Sequence, residues 1–231
     1  MMVLRPAAAR GQFSLDWLTS YHSFSFGEYY DPAHMGFRAL RVINDDRIAP
    51  GGGFPLHGHR DMEIITVVLQ GAVAHRDSMG NEALIRPGEV QRMSAGTGVR
   101  HSEFNPSATD TLHLLQIWLH PERQGLPPSY EQKNFAHSAT PGVHVLVSPD
   151  RADGSLGINQ DARLSRVVLA AGEARPVSVS PARHVWLQVI AGPLTVNGQR
   201  LDAGDGLALS QTSALHLQAD GSADLLLFDL A

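Results

Sequence analysis

Two short patterns hold the residues best suited to chemistry, His57-Gly58-His59 and His101-Ser102-Glu103. In each, the outer residues stand at i and i+2, which in a β-strand puts both side chains on one face. If the two segments are neighbouring strands, three imidazoles and one carboxylate surround one point. Three nitrogens and an oxygen suit Fe(II), Mn(II), Ni(II), Cu(II) or Zn(II), with positions left for water or substrate. An isolated His-x-His pair is common by chance; the second pair at this separation gives it weight. Glu63 would share the face of His57 and His59 if the strand ran on in register, unless a turn at Arg60-Asp61 breaks it.

The chain has twelve histidines and no cysteine. Thiolate metal sites, disulfides and cysteine nucleophiles are therefore excluded, and imidazole and carboxylate chemistry remain. Most histidines in any protein are neither ligands nor bases. His75 is expected to be structural or to wall a pocket. His22, His34, His113, His120, His137, His144 and His184 lack partner spacing and are expected to be structural. Arg38, Arg41, Asp45 and Asp46 are expected to brace a strand or line a barrel rim.

The elements that must position these residues are short strands between turns. Glu63 to Leu69 is β-branched and apolar and reaches a bend at Gly71. Ala72 to Asp77, Ala83 to Ile85, Val90 to Met93, Leu112 to Leu119 and Val143 to Val147 follow the same pattern. The only helix candidate is a short one around Ser14 to Leu18. Many short, evenly spaced strands predict a sandwich or barrel.

Between Pro121 and Pro141 the strand pattern lapses into a Pro-rich, polar stretch, the best interdomain connection. It predicts one domain over residues 1–131 and another over 132–231. The second half echoes the first: Gly192 follows an apolar strand as Gly71 does, and Asn197-Gly198 marks a hairpin. Counting back from Gly192 as from Gly71 to His57 and His59 lands on Ser178 and Ser180. His216 is the only histidine near the His101 position. The second half is thus expected to keep the fold and lack the metal.

Composition sets the outer limits. The 231 residues are 43% hydrophobic and 18% charged, which predicts an ordinary globular chain. A net charge of -5 speaks against direct nucleic-acid binding. No apolar run is long enough to span a bilayer, and Met1 to Pro6 lacks the apolar core of a secretory signal. A cytoplasmic protein is the expectation.

The segment Phe54 to Glu63, with His75-Arg76-Asp77-Ser78 and Ser94 to Glu103, resembles the pirin family of the cupin superfamily. The stretches Tyr21 to Phe26 and Gly36 to Asp46, and the closing Leu225 to Asp229, extend the likeness over essentially the whole chain. The resemblance implies an all-β bicupin of two facing jelly-roll barrels, with one metal in the N-terminal barrel only. It implies His57, His59, His101 and Glu103 as ligands of one divalent ion, Fe(II) first and Mn, Ni, Cu, Co or Zn as alternatives. General cupins take their carboxylate from the Glu63 position and carry proline where this chain has Ser94; pirins do not, so Glu63 is expected beside the ligands rather than among them. Several bacterial pirins that this chain resembles are flavonol dioxygenases acting on quercetin. The implied reaction therefore joins a flavonol with O2 and releases carbon monoxide, with Glu103 the first candidate for the base and Glu63 the second. A cavity between the domains is expected to take the flat ligand. The competing reading is a non-enzymatic pirin whose metal governs binding to a protein partner.

Overall fold

The computed structural model describes residues 1–231, and nearly every element in it is an antiparallel strand. The first half holds β1 (Met2–Arg5), β2 (Gly11–Leu15), β3 (Leu18–His22), β4 (Leu40–Ile48), β5 (Gly53–His59) and β6 (Glu63–Gln70). It continues with β7 (Val73–Asp77), β8 (Glu82–Ile85), β9 (Glu89–Ser94), β10 (Val99–Phe104), β11 (Leu112–Leu119) and β12 (Ser129–Asn134). The second half holds β13 (Gly142–Ser148), β14 (Leu156–Gly157), β15 (Ala162–Leu169), β16 (Ala174–Ser178) and β17 (His184–Ala191). It ends with β18 (Leu194–Val196), β19 (Gln199–Leu201), β20 (Gly206–Ser210), β21 (Ala214–Ala219) and β22 (Ala223–Leu230). No helix is long and apolar enough to cross a membrane.

The chain divides into two compact units. The first comprises Gly11–Ala136 with Leu156–Gln160, and the second Met1–Arg10, His137–Ser155 and Asp161–Ala231. In the first, a large sheet runs β12-β9-β6-β11-β4-β3-β2 and a smaller one β5-β10-β7-β8. In the second, the larger sheet contains β1-β20-β17-β22-β15-β13 in that order, and the smaller runs β16-β21-β18-β19. The orders correspond strand for strand, so the echo between the halves is a true structural repeat, and both units are cupin barrels.

A division between residues 131 and 132 would cut β12, whose six residues pair with β9 from Ser129 opposite Ser94 to Asn134 opposite Glu89. The N-terminal residues group with the second unit because β1 pairs with β20, Met2 opposite Leu209 and Arg5 opposite Gly206. β1 thus fills beside β20 the place that β12 fills beside β9. The helix expected around Ser14 to Leu18 is instead the hairpin of β2 and β3, with Leu15 opposite Leu18 across the Asp16-Trp17 turn. Leu18 also pairs with Ile48 and is buried in the apolar cluster of the first barrel, and this tertiary pairing outweighs local helix preference.

The two interiors differ. The second barrel is filled by an aliphatic cluster that includes Val167, Leu187, Leu207, Leu215, Leu217 and Leu225. The first has an apolar end, built from Leu18, Ile48, Val68, Val73, Ile85, Leu112 and Leu114, a smaller apolar cluster of Ile64, Met93, Ala95 and Val99, and inward polar residues that hold the site.

Candidate metal centre

The site forms where β10 pairs with β5. His101 stands opposite His57, and Val99 opposite His59. Strand alternation turns Val99, His101 and Glu103 inward while Arg100 and Phe104 face solvent, leaving His101 1% and Glu103 3% exposed. His101 Nε2 lies 2.9 Å from His59 Nε2 and 3.0 Å from His57 Nε2. Two nitrogens about 2.1 Å from one ion lie about 3.0 Å apart at right angles and about 3.4 Å apart at a tetrahedral angle. The observed spacing suits adjacent corners of a six-coordinate ion, with further corners open.

The protonation states fit as well. Burial pushes His101 down to about 2, with His59, His57 and His75 adding to the shift. Burial and the neighbouring His57 push His59 down to about 4. Both rings are therefore neutral at neutral pH, each with one nitrogen free to offer a lone pair, as metal ligation requires. His57 Nδ1 lies 2.8 Å from the Pro55 carbonyl. That contact puts the ring proton on Nδ1 and directs the Nε2 lone pair at the other two imidazoles.

Glu103 lies beside this trio. One of its carboxylate oxygens falls within 4.8 Å of ligating nitrogens of His101 and His75, whereas the tightest imidazole group is His57, His59 and His101. Gln116 Nε2 donates to both Glu103 oxygens at 3.2 and 2.9 Å, and the single Thr66 hydroxyl proton is shared between Gln116 Oε1 at 3.2 Å and Glu103 Oε1 at 3.5 Å. Burial, against these hydrogen bonds, raises the carboxyl to about 7. His75 is fully engaged, with Nε2 3.2 Å from Asp77 and Nδ1 accepting from Gln91 at 3.3 Å. It braces the wall behind His101, its ring centroid 5.3 Å away.

Glu63 is placed elsewhere. Asp61 takes φ +49°, in the left-handed region, and the chain turns there before entering β6 of the larger sheet. The Glu63 carboxylate accepts from Ser94 Oγ at 2.9 Å and from Asn159 Nδ2 at 3.1 Å, and Glu63 is absent from the cavity wall. The expectation of a second base at Glu63 is thus corrected: the turn breaks the register that would have aimed it at the histidines. Glu63→Gln should leave metal content unchanged and lower stability by about 1–3 kcal/mol, the usual penalty for disturbing a buried hydrogen-bonded carboxylate. Metal analysis alongside a urea titration checks both halves of that statement.

The imidazoles open onto a cavity of about 410 Å³, within the range typical of small-molecule sites. Phe13, Leu18, Phe26, Phe54, Ile64 and Trp118 supply its apolar lining. All its lining residues lie between Phe13 and Trp118, inside the first unit. The expected interdomain cavity is therefore an intrabarrel one. Trp118 packs edge-on against His59 with ring centroids 4.8 Å apart.

Ser20, His22, Asn44 and Asp46 also line the cavity. Asp46 was expected at the barrel rim and His22 among the structural histidines. The available signal was the i, i+2 spacing of Ser20 and His22, and of Asn44 and Asp46, within apolar strands. Asp46 accepts a hydrogen bond from Ser20, and burial raises its carboxyl to about 7, with Asp45 and Glu103 adding to the shift. A carboxyl raised in the folded state contributes stability in acid, which is lost as pH rises from its ordinary 3.8 through about 7. Asp46→Asn should therefore stabilise the metal-free protein by an amount that grows between about pH 4 and pH 7 and levels off above it. Thermal melts across that range test it; a pH-independent difference would contradict it.

The second barrel has no such centre. The inward residues of β16 and its continuation are Val177 and Val179, packed on the aliphatic cluster, not Ser178 and Ser180. On β21, Leu215 and Leu217 face inward where β10 carries His101 and Glu103, and His216 is exposed.

Residues 3–119 match the family model described as Pirin, and residues 145–230 match the quercetinase C-terminal cupin domain. A quercetin 2,3-dioxygenase of Escherichia coli K12 is 50% identical over 230 residues, covering 100% of this chain and 99% of that protein. The crystal structure of YhhW from Escherichia coli matches with a TM-score of 0.97 at 50% identity, over 100% of this chain and 98% of that one. A structure of bacterial pirin YhhW in complex with nickel(II) matches with a TM-score of 0.96 at 50% identity, over 100% and 99%. With likeness running the full length of both barrels, this chain belongs to the pirin family.

Proposed function

We propose that this protein is a metal-dependent dioxygenase that opens the central ring of a flavonol such as quercetin with O2 and releases carbon monoxide. The observation that carries the reading is the convergence of three imidazole Nε2 atoms on the wall of an apolar cavity, beside a buried carboxyl whose affinity for protons is poised near neutrality. His57, His59 and His101 would hold the ion, with Glu103 as the fourth donor, and Fe(II) is the ion we assign. Bound there, it would supply Lewis acidity toward a substrate oxygen and redox access to O2. The quercetin 2,3-dioxygenase name of the relative at 50% identity and the nickel(II) complex of YhhW support the same reading.

The remaining work falls to the protein. Phe26, Phe54 and Trp118 present aromatic and apolar faces to a flat ligand and keep water from it. Glu103 takes the proton of the flavonol 3-hydroxyl on a carboxylate oxygen. Gln116 and Thr66 hold that carboxylate in place. The test is O2 uptake and carbon monoxide release with quercetin, on protein loaded in turn with Fe(II), Mn(II), Ni(II), Cu(II), Co(II) or Zn(II). One O2 consumed per carbon monoxide released is expected. Quercetin left untouched with every ion would overturn the dioxygenase reading in favour of metal-dependent binding of a protein partner.

A further inference from the structure

Five strands of the larger sheet in the first unit carry polar side chains in one transverse row. His22 stands opposite Asn44, Asn44 opposite Gln116, Gln116 opposite Thr66, and Thr66 opposite Gln91. All five are at most 8% exposed. In the second barrel the corresponding strands give an aliphatic interior. A buried polar row is costly unless its members have partners.

Three of the five have an evident use. Thr66 and Gln116 hold Glu103, and Gln91 donates to His75. The other two residues of the row are His22 and Asn44. His22 Nε2 lies 2.8 Å from Ser20 Oγ, and Ser20 donates to Asp46 Oδ1. The Asn44 carbonyl oxygen is buried and accepts no hydrogen bond. These residues sit on β3 and β4, in the sheet that does not carry the metal-binding histidines. Edge-on ring contacts lead to them from the centre: His59 to Trp118 at 4.8 Å, Trp118 to Phe26 at 5.3 Å, and Phe26 to His22 at 5.2 Å.

We propose that Asn44 and Asp46, braced by Ser20 and His22, form an acceptor subsite that takes the phenolic hydroxyls of the flavonol's pendant ring. The Asn44 Oδ1 accepts no hydrogen bond from the protein, Asp46 accepts one from Ser20, and both residues line the cavity, where a ligand hydroxyl can reach them. The subsite makes the protein selective for flavonols hydroxylated on the pendant ring, because the analogue without those hydroxyls leaves the buried Asn44 oxygen unpaired. This inference rests on the flavonol reading above and adds to it the part of the ligand that is recognised.

The test compares three flavonols that share the 3-hydroxyl: quercetin with two hydroxyls on its pendant ring, kaempferol with one and galangin with none. Binding is followed by tryptophan fluorescence under anaerobic conditions, on Ni(II)-loaded protein. Wild type should bind quercetin at least about tenfold more tightly than galangin, the scale of one or two hydrogen bonds to a buried acceptor. In Asn44→Leu and Asp46→Asn, at wild-type metal content, the preference should shrink to within about twofold while galangin affinity stays near its wild-type value. The near-isosteric replacements remove or neutralise buried polar groups, and unchanged or raised melting temperatures would show that the fold is kept. If wild type binds all three alike, or both variants keep the full preference, the subsite is refuted while flavonol binding stands. If wild type binds none of the three, the flavonol reading itself falls, and the subsite with it.

Discussion

His101→Ala should strip the protein of its metal while leaving the first barrel folded. His101 is the hub of the centre: its Nε2 is the atom measured against both His57 and His59, and its strand lies between β5 and β7. Removing it deletes one of three nitrogens and leaves the other two without a common partner. Loss of outer partners alone lowers metal affinity about 10–100-fold, so loss of this ligand should exceed about a hundredfold. The barrel should survive because its apolar cluster, from Leu18 to Leu114, does not include the histidines. Metal per chain should fall from near one to background, with circular dichroism and the cooperative melt retained. Wild-type metal retention by His101→Ala would mean that the ion sits elsewhere.

Glu103→Gln should produce the second large effect, a fall in flavonol turnover of about 10²–10⁴-fold, the range of a lost general base. The replacement keeps the shape of the side chain but removes the charge that Gln116 and Thr66 now serve. Turnover alone would not separate a lost ligand from a lost base, so metal content must be measured on the same preparation. A variant with full metal and little turnover identifies Glu103 as the proton acceptor. Loss of both together assigns it to the ligand set. Full metal with full turnover would remove Glu103 from the chemistry altogether.

The parts of this arrangement legible in the sequence were those written locally. The i, i+2 spacing of His57 with His59 and of His101 with Glu103 required only that the segments be strands, and the structure pairs them directly. The repeat was visible because each apolar strand ends at a glycine, Gly71 and Gly192, both with positive φ. Placements that depended on distant partners were not legible. The left-handed turn at Asp61 carries Glu63 into a different sheet. A one-residue offset in the repeat exchanged Ser178 and Ser180 for the inward-facing Val177 and Val179, the usual consequence of a register slip in a strand. The inward aim of Asn44 and Asp46 is set by pairing with β3 and β11, and in the sequence only their i, i+2 spacing within an apolar strand pointed to it. Similarly, nothing local to Met2–Arg5 marks it as the partner of a strand some two hundred residues away.

The central claim, one ion held by the β5 and β10 histidines, is most directly tested by anomalous diffraction from crystals of the untagged protein loaded with Fe(II) and measured at the iron edge. The account predicts a single peak within about 2.0–2.3 Å of the Nε2 atoms of His57, His59 and His101, and none in the second barrel. A peak at His184 or His216, or the absence of any peak among the three histidines in fully loaded protein, would contradict it.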